Sequence, residues 1–117
     1  MNYKLQWDVI EIRRYVDPEG RDVYGEWIAK LKDPVARARI AIRVDRLAQG
    51  NFGDSRALRD GLHELRIDWG PGYRVYFANT GEKVVLLLGG GDKRKQSSDI
   101  ERALQNLRDY KARGPLS

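Results

Sequence analysis

The sequence predicts one α+β domain, and three features carry that prediction. Apolar and polar residues alternate over 62–69 and again over 73–77, the period of strands with unlike faces. Apolar residues recur at helical spacing in 23–32, in 34–49 and after Ser98. Strand-like and helix-like stretches are segregated in the order β-α-α-β-β-β-α, which argues against a doubly wound sheet. An antiparallel-rich sheet, an N-terminal helical hairpin and a C-terminal helix are therefore expected. A length of 117 residues fits one domain, 1–117, with one real core.

The first strand is expected over Tyr3–Tyr15. Tyr3, Leu5, Trp7 and Val9 alternate, and Ile10 and Ile12 then shift the phase, as a bulge or burial on both faces would require. Asp17-Pro18-Glu19-Gly20 reads as a turn. Asp22 then caps a helix over Val23–Lys32. Asp33-Pro34 opens a second helix as N-cap and first-turn proline, and Gly50 stops it after Gln49. Its apolar stripe is Ala36, Ile40, Val44 and Leu47; Arg39, Arg43 and Arg46 form a basic stripe beside it.

Asn51–Asp60 reads as a loop. Three strands follow, joined by Gly70-Pro71-Gly72 and Asn79-Thr80-Gly81-Glu82. Val84–Leu88 is apolar without alternation, so burial on both faces is expected, and Gly89-Gly90-Gly91 is expected to end that strand. Ser98 and Glu101 are spaced as a capping box for the last helix, which Gly114-Pro115 closes.

Composition excludes several chemistries. There is no cysteine, hence no disulfide, thiolate nucleophile or cysteine-based zinc site. A single histidine leaves no paired-histidine ribonuclease mechanism and no histidine-based metal site within one chain. No apolar run is long enough to span a membrane, and the N-terminus lacks the apolar core of a secretory signal, so a cytoplasmic protein is expected. A net charge of +5 and a pI near 9.6 favour an anionic partner.

The most informative stretch is Leu62–Lys95. Alternation turns His63, Leu65, Ile67 and Trp69 one way, with Tyr73, Val75 and Phe77; His63 is thereby placed on the covered face. The other face collects Glu64, Arg66, Asp68, Arg74 and Tyr76, followed by Lys93, Arg94 and Lys95. That is the chemistry of a surface meeting phosphate, since a guanidinium fork binds phosphate oxygens in pairs. The alternative is a solvated face of cross-strand ion pairs. Arginine is a poor base, so proton transfer would fall to Glu64, Asp68, Lys93 or a group outside the chain. Gly89-Gly90-Gly91-Asp92-Lys93 does not have the spacing of a nucleotide-binding P-loop.

The Leu62-His63-Glu64-Leu65-Arg66 strand, the Gly70-Pro71-Gly72-Tyr73-Arg74-Val75-Tyr76-Phe77 hairpin and the Gly89-Gly90-Gly91-Asp92-Lys93 segment together resemble the RelE/ParE toxin superfamily. More narrowly, they resemble its HigB-like "addiction module killer protein" branch, over Trp7 to about Tyr110. The resemblance implies a RelE-like fold and the toxin of a type II toxin–antitoxin pair. It implies mRNA cleavage in the ribosomal A site without metal or cofactor, leaving a 2′,3′-cyclic phosphate. It also implies a cognate antitoxin, a helix-turn-helix protein, through whose complex the toxin reaches operator DNA. On this resemblance Arg74 matches the arginine that holds the scissile phosphate, Arg66 the basic residue of the preceding strand, and Lys93 and Arg94 the basic pair after the last strand. Glu64, the candidate for proton transfer, stands where the RelE type has a second lysine. The early tyrosine of the RelE last helix has no counterpart. Tyr76 and Lys95 complete the expected RNA-binding set. Two other readings share this fold: a ParE-like gyrase poison, and an inactive homologue acting as corepressor. On the sequence, Arg74→Ala is expected to abolish toxicity and leave the fold intact.

Overall fold

The computed structural model describes residues 10–114. They form an α+β domain with a five-stranded mixed sheet and three helices. Strand β1 is Glu11–Arg14; helices α1 and α2 are Val23–Lys30 and Pro34–Ala48. Strands β2 (Ser55–Ala57), β3 (His63–Ile67), β4 (Tyr73–Gly81) and β5 (Val84–Asp92) follow, then a 3₁₀ turn over Lys93–Lys95 and helix α3, Gln96–Arg113. The sheet order is β1-β5-β4-β3-β2, with β1 parallel to β5 and every other pair antiparallel. The residues of the expected first strand before Ile10, and Pro115, lie outside the described residues. Among the described residues no helix is long and apolar enough to cross a membrane.

Local chemistry sets most boundaries. Asp22 accepts a hydrogen bond from the Gly25 N–H at 3.0 Å, and Asp33 accepts one from the Val35 N–H at 2.9 Å, satisfying otherwise unpaired donors at the starts of α1 and α2. Gly50, at φ +81°, turns the chain out of α2. Helix α3 starts differently from expectation. The 3₁₀ turn runs directly into it, Lys95 stands at the N-cap without a side-chain bond, and the Ser98 hydroxyl donates back to the Lys95 carbonyl. There is no capping box.

The sheet is covered on both sides. Leu65, Ile67, Tyr73, Val75, Phe77, Val85 and Leu87 pack with Tyr24 of α1 and with Ala36, Ile40, Val44 and Leu47 of α2. Leu62, Tyr76, Ala78, Leu86 and Leu88 pack on the other face with Ala103, Leu104 and Leu107 of α3. Val84–Leu88 is thus buried from both sides, as its unbroken apolar run requires. His63 lies on the α1–α2 side, stacked on Phe77 with centroids 5.2 Å apart.

Three further elements differ from the sequence reading. Part of the Asn51–Asp60 loop is an edge strand, β2, paired with His63–Leu65. The second hairpin turns at Glu82-Lys83, where Lys83 has φ +63°. Gly89-Gly90-Gly91 does not end β5: the strand continues through it, opposite Tyr76, Val75 and Arg74. A Cβ at Gly90 would fall inside the Trp27 indole, and one at Gly91 would meet the Asp99 carboxylate. These two glycines admit α1 and α3 close against the strand.

Candidate functional site

The site forms where β3 and β4 meet the end of β5. Arg66 and Arg74 are direct cross-strand partners, an arrangement that repels and that a purely structural sheet avoids. Each has its own carboxylate. Arg66 donates from Nη2 to Asp54 Oδ1 at 2.8 Å. Arg74 Nε lies 3.4 Å from Glu64 Oε1, an ion-pair distance outside hydrogen-bond geometry. Arg74 Nη1 also donates to the carbonyls of Gly72 and Tyr73, each at 3.2 Å. The Gly72 carbonyl accepts the Lys93 backbone N–H at 2.9 Å as well, so one turn residue positions both Arg74 and Lys93. Gly72 has φ +83°, a left-handed conformation that glycine adopts without strain.

These contacts bring Arg66, Arg74 and Lys93 around one open cavity of about 300 Å³, with Asp54 and Asp68 on its wall. Arg74 is held almost out of water, its side chain 12% exposed, whereas Arg66 is 38% exposed. The Arg66 guanidinium holds the Asp54 carboxyl below the usual carboxylate range, and the carboxylate in turn raises the Arg66 pKa. Asp68 is exposed and has no ion-pair partner among the described residues. Two arginines with their own hydrogen-bond restraints, beside a lysine whose backbone is anchored, can hold a phosphate and the extra charge of its transition state with little reorganisation.

Four expected site residues lie elsewhere. Glu64 is fully buried, ion-paired with Arg56 at 3.1 Å and bonded by the Gln96 amide of α3. It does not line the cavity, so it positions Arg74 rather than moving protons. Arg74→Ala leaves the buried Glu64 with Arg56 as its one described cation, a change expected to cost stability. Tyr76 is buried under α3; its hydroxyl makes no hydrogen bond with a described residue, and burial pushes its pKa up. It is not available to stack on RNA. Arg94 is turned onto Asp92 by two bonds, Nε to Oδ1 at 3.1 Å and Nη2 to Oδ2 at 2.7 Å. Arg94 and Lys95 border a different cavity, beside Trp27, Asp99 and Arg102.

The sequence reading missed Asp54. It lies in a stretch without periodicity, and only the β2–β3 register places it beside Arg66, whose N–H also donates to the Asp54 carbonyl at 2.9 Å.

Fold and site together define a small α+β domain with a cationic cavity at one end of its sheet. No model of a known protein family matches the chain. An uncharacterized protein of Haemophilus influenzae (strain Rd) is 50% identical to it over 80 residues, spanning 68% of this chain and 81% of that protein. The chain belongs to one family with that protein.

Proposed function

We propose that this chain is the toxin of a type II toxin–antitoxin pair, a cytoplasmic, ribosome-dependent endoribonuclease with a RelE-like fold in which α1 and α2 form the helical hairpin. One observation carries the reading: Arg66 and Arg74, opposed across two strands, share a single cavity with Lys93 and the Asp68 carboxylate, which has no ion-pair partner among the described residues. Like charges placed face to face cost stability, and an anion between them recovers it. The resemblance of the strand, hairpin and glycine segment to HigB-like toxins supplies the class of anion, a phosphodiester of mRNA.

In this reaction the ribose 2′-oxygen attacks the phosphorus and the bond to the 5′-oxygen breaks, leaving a 2′,3′-cyclic phosphate. Asp68 takes the proton of the 2′-hydroxyl. The Lys93 ammonium gives a proton to the leaving 5′-oxygen. Arg66 and Arg74 hold the phosphoryl oxygens, and Glu64 keeps Arg74 aimed at them. General acid or base help of this kind is worth roughly 10²–10⁴ in rate. The free toxin is held in check by a helix-turn-helix antitoxin, and the pair together binds operator DNA.

The test is induction in cells, reading growth and primer extension on mRNA. Wild type is expected to arrest growth and to leave in-frame cuts. Lys93→Ala, an exposed position, and Arg74→Lys, which keeps a cation beside Glu64 but loses the fork, are expected to abolish both while staying folded by circular dichroism. Full toxicity of both variants at equal expression overturns the site. Gyrase-dependent DNA breaks with intact mRNA assign the chain instead to the ParE-like activity. Absence of any arrest by wild type leaves the corepressor.

A further inference from the structure

The arginine stripe of α2 has no part in the chemistry above, and its arginines form no ion pair with a described carboxylate. Of the fifteen arginines in the chain, ten are ion-paired with a described carboxylate. Four of the other five, Arg37, Arg39, Arg43 and Arg46, lie on α2, where Asp45 is the one acid. The fifth, Arg108, is on α3, across the sheet.

Three of the four face one groove. Arg39 lies flat over the Trp69 ring, 4.1 Å from its centroid, which fixes the guanidinium without neutralising it. Arg43 donates from Nη1 to the Arg66 carbonyl at 2.8 Å, tying the helix to the strand that carries the site, and its buried Nη2 has no hydrogen-bond partner among the described residues. Arg46 is exposed. Together with Ile42, 50% exposed between them, they border a cavity of about 300 Å³. Its remaining walls are Ile67 and Asp68, and these are also walls of the Arg66–Arg74–Lys93 cavity. The two depressions are therefore contiguous across the end of β3.

We propose that α2 is the track for the single-stranded RNA flanking the phosphate held at Arg66 and Arg74, with Arg39 and Arg46 on backbone phosphates and Arg43 adding its charge from beneath the groove. This inference rests on the nuclease reading above and names where its substrate runs. Continuity with the cavity favours RNA over an acidic peptide, because a strand entering at one depression must cross the shared Asp68 wall to leave by the other. Guanidinium groups without carboxylate partners suit phosphate, since no ion pair has to be broken on binding. Asp68 at the junction repels phosphate there and accepts from a ribose hydroxyl instead, which fixes the register of the strand.

The probe is a short 2′-O-methyl RNA, which lacks the attacking hydroxyl and cannot be cut. Its affinity for the full chain is measured by fluorescence anisotropy between about 50 and about 200 mM salt. Removing two phosphate contacts from a single strand lowers the slope of log K against log salt by about 1.4. Arg39→Gln combined with Arg46→Gln is expected to show that drop and about 10-fold weaker binding at low salt. Arg108→Gln, at an arginine on the opposite face that likewise has no ion pair with a described carboxylate, is expected to change neither. Arg46→Gln alone, at an exposed position free of packing duties, is expected to give half the drop in slope. An unchanged slope in the α2 variants while Lys93→Ala lowers it overturns the track and leaves the nuclease reading standing. An equal loss in Arg108→Gln overturns it as well, by showing that total charge alone governs binding. So does unaltered RNA binding with lost affinity for poly-glutamate, which assigns the stripe to an acidic protein. No binding by wild type at low salt also overturns it. The nuclease reading is judged separately, by cleavage in cells.

Discussion

Glu64 and Asp68 come from the same face of one run of chain, four residues apart, and the fold gives them opposite surroundings. Glu64 is sealed between Arg56, Arg74 and the Gln96 amide, without any exposure. Asp68, one residue past the end of β3, is open to solvent and meets no described cation. Alternation states which way a side chain points. Whether water reaches it depends on what lies above, and the first turn of α3 lies above Glu64 but not above Asp68. One carboxylate thereby holds an arginine, and the other stays open to solvent.

The largest expected effect separates these two roles by stability. Glu64→Ala leaves Arg74 nearly buried without its counter-charge and removes the acceptor of Gln96, and is expected to cost about 3–5 kcal/mol in urea unfolding. Asp68→Asn touches no partner and is expected to stay within about 0.5 kcal/mol. On the proposed nuclease reading activity sorts differently, with Asp68→Asn expected to lose cleavage in a folded protein. Equal costs for the two substitutions would erase the contrast drawn here.

A smaller effect tests what holds α3 over Glu64. Asp99 sits in the first turn of α3 against Gly91, in the same turn as Gln96. A methyl group at Gly91 pushes Asp99 away from β5 and with it the amide that bonds Glu64. Gly91→Ala is expected to cost about 1–3 kcal/mol, the range of overpacking. Gly81→Ala, whose new Cβ meets only the Val84 side chain at ordinary contact distance, is the comparison and is expected to be near neutral. A neutral Gly91→Ala would mean that α3 gives way without cost.

The parts of this structure that were legible in the sequence are those decided by neighbours along the chain. Asp22 and Asp33-Pro34 declare helix starts because capping involves the next three residues. The alternation that joined His63, Leu65 and Phe77, and the unbroken run of Val84–Leu88, reported facing correctly. What was not legible depends on contacts across the fold. Three residues of β2 carry no period of their own and are strand only because β3 offers an edge. Gly90 and Gly91 look like a strand terminator until Trp27 and Asp99 are placed on them. Of the site, Arg66, Arg74 and Lys93 were visible from facing and resemblance. Asp54 was not, because only register brings it there, and the burial of Tyr76 and Glu64 awaited the position of α3.

The smallest expected effect concerns the second pairing in the cavity and has a sign that can be worked out. Asp54 is held below its ordinary pKa chiefly by the hydrogen bond from Arg66, reinforced by that charge and by Arg43 and Arg74 and opposed by desolvation. A carboxyl with a lower pKa folded than unfolded adds stability above the unfolded value, about 3.9. That stability is present in full at neutrality and is lost as pH falls below about 4 through the folded value, so the pair's pH dependence shows only in acid unfolding. Both side chains are well exposed, at 38% and 53%, so solvent and salt screen the interaction and the stability effect is small. The direct observable is the Asp54 carboxyl resonance in an NMR titration. Arg66→Gln is expected to move its midpoint upward toward the ordinary value, and added salt to move it the same way by less. Arg94→Gln, whose guanidinium is committed to Asp92 beside the other cavity, is expected to leave Asp54 where it is. A midpoint indifferent to Arg66 but responsive to Arg94 would mean that the two basic clusters form one electrostatic unit, and Arg94 would then return to the site from which its geometry removes it.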